Sequence, residues 1–264
     1  MSIAFTKLHG NGNDFILIDE MKAVIIPDEM KPEFAKAFCD RRFGIGGDGI
    51  LFISKSDAAD VKMRLFQPDG SEAEMCGNGI RCLAKYAFDK EYTETKAFKI
   101  ETLAGIMAVR GGYDNEGDFM ATINMGAAVF DETRIIGNKT VYSVNTGVPH
   151  AVIFVDDLEN LDIEKEAPEI RHHASFKNGT NVNFVKITGE SDIEIRTFER
   201  GVEGETLSCG TGSTACALIA EREGKVTGDV IHVATVGGPL DITIADLPLM
   251  TGPAETVFEG ELSF

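Results

Sequence analysis

Two cysteines, half a chain apart, stand in the same short motif. Cys76 opens Cys-Gly-Asn-Gly, Cys209 opens Cys-Gly-Thr-Gly, and each motif runs into a helix-like stretch, residues 80–88 and 213–222. A duplicated fold with facing halves would place one thiol on each side of a cleft. Two thiols on opposite faces of one carbon atom suit a reaction in which one removes a proton and the other returns one. The repeated motif therefore predicts inversion at a carbon acid.

The start of a helix is a suitable place for such a thiol. The first backbone N–H groups of a helix lack intrahelical partners and carry the positive end of the helix dipole. A thiol there ionises more readily, and the same amides can hold a carboxylate. Cys39, Cys82 and Cys216 lack this setting, and we expect them to be core residues.

Three other polar features have both an ordinary and a functional interpretation. Asn13 lies in a tight polar turn that runs from His9 to Asp14, and its amide could equally shape the turn or face the cleft. His150 follows a proline and opens an apolar run, where a lone histidine is more often structural. Glu199 and Arg200 precede the second thiol. They could be a solvated surface pair, or they could bind a zwitterionic substrate, the carboxylate holding its ammonium group and the guanidinium a carboxylate.

Neither a metal site nor a dinucleotide site is indicated. No spacing of cysteine and histidine fits metal ligands, so we expect no metal. The segment 44–49 matches G-x-G-x-x-G by letter, but it follows a helical stretch and precedes a strand. The dinucleotide fingerprint requires the reverse order.

Composition restricts the partners. The formal net charge is −18, from 25 basic and 43 acidic residues, which argues against nucleic acid and anionic membranes. There is no apolar run long enough to cross a membrane and no basic-then-apolar leader, so a cytoplasmic location is expected. Five cysteines without a regular framework indicate free thiols.

Many short strands and few helices predict an α+β fold. The β-rich runs bounded by turn residues are 3–8, 15–19, 50–54, 61–66, 98–102, 119–125, 141–145, 151–155, 182–187, 193–198, 230–235 and 240–244. Helical patterns cover 28–39, 77–88, 167–173 and 210–222.

The two halves of the chain resemble each other beyond the cysteine motifs. Arg64-Leu-Phe-Gln and Arg196-Thr-Phe-Glu each lie at the end of a predicted strand, and each is followed by a polar turn with glutamate and then the thiol. A turn-rich break at 111–118 separates the halves, which indicates a duplication with one thiol in each half.

The chain closely resembles the diaminopimelate epimerases along nearly its whole length. The motifs that carry the resemblance are His9-Gly-Asn-Gly-Asn-Asp-Phe15, Gly44–Gly49, Asp69–Cys82 with its specific Met-Cys-Gly-Asn-Gly-Ile-Arg-Cys string, Pro149-His150, Asn181, Glu199–Gly201 and Gly204–Gly212.

The resemblance implies an isomerase that needs no cofactor. Members interconvert LL- and meso-2,6-diaminoheptanedioate on the route to lysine, usually as homodimers. Their fold has two pseudo-symmetric lobes, each a strongly curved, mostly antiparallel sheet wrapped around a central helix. The implied lobes are residues 1–118 with 253–264, carrying Cys76, and residues 119–252, carrying Cys209.

Site residues follow position by position from the same resemblance. The implied catalytic residues are Cys76, Cys209, His150 and Glu199. The implied substrate-binding residues are Asn13, Gly77, Asn78, Asn181, Glu199, Arg200, Gly210 and Thr211. Gly49, Gln67 and Val148 differ from the residues that many members carry at substrate contacts, so recognition of the distal end of the substrate stays open.

Two other functions stay open at this point. A proline or hydroxyproline racemase of the same superfamily also uses two thiols, although Arg200 and the asparagines favour a substrate with a second charged end. A binding or redox-sensing protein could instead join Cys76 and Cys209 in a reversible disulfide, and it would exchange no α-proton.

Overall fold

The computed structural model describes residues 2–264 and separates into two compact units. The first unit extends to Ile123 and takes in Gly252–Phe264 at the end of the chain. The second unit is Asn124–Thr251. Among residues 2–264, no helix is both long and apolar enough to span a membrane.

The first unit is built from short strands and two α-helices. Its strands are β1 (Ser2–Gly10), β2 (Asn13–Asp19), β3 (Gly49–Ser54), β4 (Val61–Phe66), β5 (Glu72–Ala73), β6 (Ala97–Thr102), β7 (Gly105–Tyr113), β8 (Phe119–Asn124) and, at the end of the chain, β19 (Glu255–Ser263). Its helices are α1 (Lys31–Cys39), preceded by a 3₁₀ turn at Asp28–Met30, and α2 (Gly77–Asp89).

The second unit repeats the same alternation of elements. Its strands are β9 (Val129–Phe130), β10 (Arg134–Ile136), β11 (Lys139–Asn145), β12 (Pro149–Phe154), β13 (Asn181–Ile187), β14 (Asp192–Glu199), β15 (Gly204–Thr206), β16 (Val230–Thr235), β17 (Gly238–Thr243) and β18 (Leu249–Pro253). Its helices are α3 (Ile163–Arg171) and α4 (Gly210–Arg222).

The strand order is the same in both units. In the first, β1, β2, β3, β4, β6, β7 and β8 pair in succession, parallel only at β2–β3 and β4–β6. In the second, β11, β12, β13, β14, β16, β17 and β18 do the same, parallel only at β12–β13 and β14–β16. The predicted mixed α+β class with mostly antiparallel pairing is confirmed.

Each unit encloses one helix that begins at a thiol motif. Helix α2 contacts β1, β2, β3, β4 and β7, and α4 contacts β11, β12, β13, β14, β16 and β17. Small residues allow this enclosure, because alanines and glycines let strands approach a helix closely. Almost every side chain of both helices is buried. A helix held on several sides keeps its first turn, and therefore its thiol, in a fixed position.

The same hairpin leads into both thiol motifs. Phe66 of β4 pairs with Glu72 of β5, and Phe198 of β14 pairs with Glu205 of β15. A forked ion pair fastens each hairpin: Arg64 Nε donates to Glu72 at 2.6 Å and Arg196 Nε donates to Glu205 at 2.6 Å. The duplication suspected from the sequence therefore extends to side-chain pairing.

Some helices and strands begin or end at other residues than the sequence predicted. Helix α3 begins at Ile163, four residues before the predicted start, because Asp162 caps it by accepting from the Lys165 N–H. The predicted break at 111–118 starts later, because β7 continues to Tyr113, which pairs with Phe119. The two- and three-residue strands β5, β9, β10 and β15 were not predicted, since so short a run has no readable period.

Candidate active site

Cys76 caps the N-terminus of α2. Its backbone is extended, with φ −147° and ψ 117°, and its Sγ accepts a hydrogen bond from the Gly79 N–H at 3.5 Å. The sulfur therefore lies beside the free amides at the positive end of the helix, where Gly77 is the first helical residue. Cys76 is only partly buried, so a small molecule can reach it.

Two asparagines assigned to substrate binding surround this thiol. Asn13 Oδ1 accepts from Asn78 Nδ2 at 3.1 Å, and the Cys76 thiol donates to the same oxygen at 3.7 Å. Asn13 Nδ2 donates to Asp48 Oδ2 at 2.7 Å, which fixes the orientation of its amide. The structure thus brings Asn13, Asn78 and Cys76 together within the first unit.

Asn13 is held by an ion network at the β1–β2 turn. Arg41 bridges the carboxylates of Asp14, at 2.6 Å, and Asp48, at 2.8 Å, and Lys7 pairs with Asp14 at 2.6 Å. Burial acts to raise the pKa of Asp14, but the hydrogen bonds from Arg41 and Lys7 prevail and hold it at about 2. The glycine-rich loop that resembled a dinucleotide motif therefore supplies Asp48 as a support for Asn13.

Cys209 caps α4 in a more enclosed setting. Its Sγ lies 3.4 Å from Thr211 Oγ1, and its thiol donates to the Glu199 carboxylate. Burial and the Glu199 charge raise the pKa of this thiol, and hydrogen bonds from Thr211 and the Gly212 N–H oppose them only in part. The helix start alone predicted a lowered pKa, but at Cys209 desolvation and a neighbouring carboxylate outweigh it.

Glu199 stands at the end of β14, where the hairpin turns toward the thiol. Thr206 Oγ1 donates to Glu199 Oε1 at 2.6 Å across the β14–β15 pair. The same carboxylate contributes to the raised pKa of the Cys209 thiol, by its charge and by accepting a hydrogen bond. The structure therefore groups Glu199, Cys209 and Thr211 around the start of α4, whose first residue is Gly210.

His150 is buried and neutral. Asn183 Nδ2 lies 3.2 Å from His150 Nδ1, and because an amide NH₂ can only donate, the proton of the ring is assigned to Nε2. Burial lowers the pKa of His150 to about 3, and the charge of Arg200 acts in the same direction. His150 Nε2 is buried without a hydrogen-bond partner among residues 2–264.

Asn181 links strand β12, which carries His150, to the turn at Arg200 that follows β14. Its Oδ1 accepts from the Arg200 N–H at 2.9 Å, and its Nδ2 donates to the Pro149 carbonyl at 3.0 Å. His150 and Asn181 are also direct partners in the β12–β13 ladder. Asn181 therefore holds the Arg200 backbone, while the Arg200 side chain donates to the Asn178 carbonyl at 3.3 Å.

Three supporting residues were not predicted from the sequence: Asp48, Asn183 and Thr206. Asn183 had a usable signal, because it lies two residues after Asn181 in a mostly apolar strand, on the same face. Asp48 and Thr206 had none, since each acts through a partner distant in the chain or across a very short strand.

The other three thiols are isolated from this chemistry. Burial raises the pKa of Cys39 and of Cys82 to about 12, and it raises that of Cys216 well above the usual range. All five cysteines are free thiols. Cys76 and Cys209 are thus distinguished from the rest by their helix-cap positions and by their polar partners.

Comparison with known proteins gives consistent matches. A family profile described as "Diaminopimelate epimerase" matches residues 5–130 and 142–257. A protein named diaminopimelate epimerase from Methanothrix thermoacetophila is 51% identical, over 99% of this chain and 96% of its own length. Another of that name, from Methanocella arvoryzae, is 50% identical over 98% of this chain and 96% of its own length.

A solved structure shares the fold at low sequence identity. The phenazine biosynthesis protein of the PhzF family from Bacillus anthracis superposes with a TM-score of 0.76 at 18% identity, and the match covers 100% of both chains. At that identity the likeness concerns the fold alone.

Proposed function

The chain belongs to the diaminopimelate epimerase family, as its motifs predicted, and we propose that it interconverts LL- and meso-2,6-diaminoheptanedioate without a cofactor. The observation that carries the mechanism is the repeated placement of a thiol as the cap of an enclosed helix. Cys76 caps α2 and Cys209 caps α4, and each has polar partners that the three core cysteines lack.

In the proposed reaction one thiol of the pair is ionised and the other is protonated. The thiolate removes the α-proton and becomes a thiol, while the partner thiol protonates the opposite face of the carbon and becomes a thiolate. The product is the inverted centre, and no net proton is gained or lost. The reverse reaction starts from the enzyme in which these two states are exchanged.

The negative charge that forms when the proton leaves is shared with the α-carboxylate. Backbone amides at the starts of α2 and α4, beginning at Gly77 and Gly210, are the donors proposed to stabilise it. Such donors are already oriented before the reaction, so they need no reorganisation when the charge appears.

The remaining residues have supporting roles. Glu199 holds the Cys209 proton and so keeps this thiol ready to donate. His150, with its pKa of about 3, is neutral at physiological pH, so we assign it a donor role through its Nε2–H instead of proton transfer. The Arg200 guanidinium, with Asn13, Asn78, Asn181 and Thr211, is proposed to bind the substrate.

The reaction is tested by ¹H NMR of LL-diaminopimelate in heavy water, without pyridoxal phosphate. The enzyme is expected to wash out the α-proton and to form the meso isomer. Cys76→Ala or Cys209→Ala should slow epimerisation by about 10²-fold or more, because each removes one of the two proton-transfer groups. Cys39→Ala, which removes a buried core thiol, is the control and should retain the rate.

The outcomes separate the candidate functions. Near-normal epimerisation by either single alanine variant would exclude the two-thiol mechanism. Turnover of proline in place of diaminopimelate would favour the racemase, and absence of α-proton exchange with any amino acid would favour the redox protein.

We further propose that the enzyme acts in the cytoplasm as a homodimer, with one thiol from each of its two sequence-defined lobes. The support is the family, whose members are usually dimeric. Sedimentation equilibrium should give twice the chain mass of 28.6 kDa. A value equal to the chain mass would contradict the dimer and leave the reaction untouched.

A further inference from the structure

The Arg200 turn, residues 200–203, is longer than its counterpart in the first unit. Phe66 and Glu72 pair across the first hairpin and are six positions apart, whereas Phe198 and Glu205 pair across the second and are seven apart. The second hairpin therefore has one more residue between its paired positions, although the same forked ion pair fastens both hairpins. The longer turn carries Arg200, which is assigned to substrate binding.

Glu203 is the residue that closes this turn. Its N–H donates to the Glu199 carbonyl at 2.9 Å, and its Oε1 accepts from the Gly201 N–H at 3.0 Å. Its φ is 56°, a left-handed conformation that non-glycine residues rarely adopt. Such a conformation persists only where the surroundings fix it, and it is found most often at functional sites. The partners of the Glu203 carboxylate therefore bear on the function of the turn.

The carboxylate of Glu203 is held by the last residue of helix α3. Arg171 Nε donates to Glu203 Oε1 at 3.1 Å, and Arg171 Nη2 donates to the same oxygen. An exposed ion pair adds little by itself. Here, however, the Arg171 side chain is only 11% exposed, and the same oxygen also accepts from the backbone of the turn. His172 Nε2 lies 3.4 Å from the other oxygen, but this imidazole is exposed.

Arg171 also supports the segment that contacts the Arg200 side chain. Gly179 has a φ of 69°, and a Cβ atom there would lie 2.9 Å from Arg171 Cζ, so the guanidinium packs directly against this glycine. The preceding residue, Asn178, accepts from Arg200 Nη1 at 3.3 Å through its carbonyl. One guanidinium thus lies against both segments that hold Arg200.

Glu199, on the other side of the turn, is fixed by different contacts. It pairs with Gly204 in the β14–β15 ladder, and its carboxylate accepts from Thr206 Oγ1. The β15 strand is itself held by α3, because Glu164 Oε1 accepts from the Glu205 N–H at 2.9 Å. Loss of the Glu203 carboxylate should therefore disturb Arg200 and leave Glu199 in place.

We propose that Glu203 and Arg171 are positioning residues that hold the Arg200 turn in the conformation that binds the substrate. The inference rests on the proposed function, since it concerns a residue assigned to the substrate there. The Arg200 side chain donates to a neutral carbonyl, so the charge of its guanidinium stays available for a carboxylate. A turn that is fixed beforehand lowers the entropic cost of ordering Arg200 when the substrate binds.

The first test is steady-state epimerisation of LL-diaminopimelate by the full chain. Glu203→Gln keeps the size of the side chain and removes its charge. It should raise KM about tenfold and change kcat by less than about twofold, because Arg200 binds the substrate and transfers no proton. A fall in kcat at unchanged KM would overturn the proposal, since it would connect the pair with proton transfer.

A double-mutant cycle shows whether Glu203 acts through Arg200. Arg200→Met should itself raise KM. Adding Glu203→Gln to it should raise KM by less than about a further twofold, because the group that Glu203 positions is already gone. A further tenfold rise would mean that Glu203 acts elsewhere, and the proposal would then be wrong.

The matched control is Glu166→Gln, also on α3. The Glu166 carboxylate pairs with Lys139 at 2.6 Å and is exposed to a similar degree as that of Glu203, but its partner belongs to β11 and not to the Arg200 turn. Its loss should leave KM unchanged. An equal rise of KM in Glu166→Gln and Glu203→Gln would indicate a general weakening of α3 and would contradict the proposal.

Amide hydrogen exchange without substrate reports on the turn itself. Glu203→Asn suits this measurement, because asparagine tolerates the left-handed backbone and brings no charge to Arg171. The Arg200 and Gly201 amides should exchange about tenfold faster in this variant than in the natural protein, and Glu166→Gln should show no such change. This arm decides the question even if Glu203→Gln fails to fold, as judged by circular dichroism. Unchanged exchange in Glu203→Asn would reject the positioning role.

Failure of the proposed function would look different. Absence of epimerisation by the natural protein, together with faster exchange in Glu203→Asn, would reject the reaction and leave the positioning of Arg200 standing. Normal epimerisation with an unchanged KM in Glu203→Gln would reject the positioning and leave the reaction standing.

Discussion

Each thiol is surrounded by its own set of charges and hydrogen bonds. Cys76 is partly open and donates to Asn13 Oδ1, whereas Cys209 is buried and donates to Glu199. The motifs themselves are nearly identical, so the difference comes from residues outside them. His150, also outside the motifs, shows the same dependence on surroundings, because burial makes it neutral.

The buried His150 should make stability fall in acid. Its pKa is 6.5 in the unfolded chain and about 3 in the folded one. Below 6.5 the unfolded state binds a proton that the folded state rejects, so the free energy of unfolding drops by about 1.4 kcal/mol per pH unit. Urea unfolding between about pH 7.5 and about pH 5 should therefore show a steeper loss for the natural protein than for His150→Asn.

His232 supplies a control of opposite sign. It is exposed, and the hydrogen bond to Asp241 raises its pKa, so any stabilisation is present in acid and is lost as pH rises through the raised value. His232→Asn should thus leave the acid loss of the natural protein in place. Equal slopes for the natural protein and His150→Asn would show that His150 is protonated in the fold.

The two enclosed helices give the thiols their positions, and the glycine three residues after each cysteine sets how closely the thiol turn is packed. At Gly79 the nearest atoms to an added Cβ are Leu51 Cδ2 at 3.3 Å and Cys76 Cβ at 3.5 Å. At Gly212 an added Cβ would lie 2.6 Å from Asn183 Oδ1 and 3.3 Å from Cys209 Sγ. Equivalent positions of the duplication therefore differ in how much space they have.

Gly212→Ala should be far more harmful than Gly79→Ala. The added methyl must displace Asn183, which also accepts from Thr197 at 3.0 Å, so an overpacking cost of about 1–3 kcal/mol is expected. Thermal unfolding and epimerisation rates of the two variants provide the measurement. If both variants lost stability and activity equally, the cause would be a disturbance of the backbone amide at the helix start, and not the contact of the added methyl group with Asn183.

The whole molecule is strongly acidic, with a net charge of −18 and an isoelectric point of about 4.6. Ion pairs such as Arg64–Glu72 and Arg196–Glu205 neutralise some of the carboxylates, but acidic residues remain in large excess. Self-repulsion of such a surface opposes the compact state and weakens when salt screens it.

Stability should therefore rise with moderate salt. Raising sodium chloride from about 10 mM to about 150 mM shortens the Debye length from about 30 Å to about 8 Å, so the melting temperature near neutral pH should increase. The same series near the isoelectric point of 4.6 is the control, and there the increase should vanish. A lower melting temperature in salt at neutral pH would show that the surface ion pairs outweigh the repulsion.

The sequence by itself determined the family, the α+β class and the two thiols, because motif spacing and strand patterns are local properties of the chain. Many strand and helix positions followed from the same patterns, but β7, β18 and the strands of two or three residues did not, and β19 was expected only from the family resemblance. The tertiary structure alone decided which side chains surround each thiol. Asp48, Asn183 and Thr206 act on partners distant in the chain or across a strand pair. Burial, which raises the pKa of Cys209 and lowers that of His150, exists only once the chain is folded.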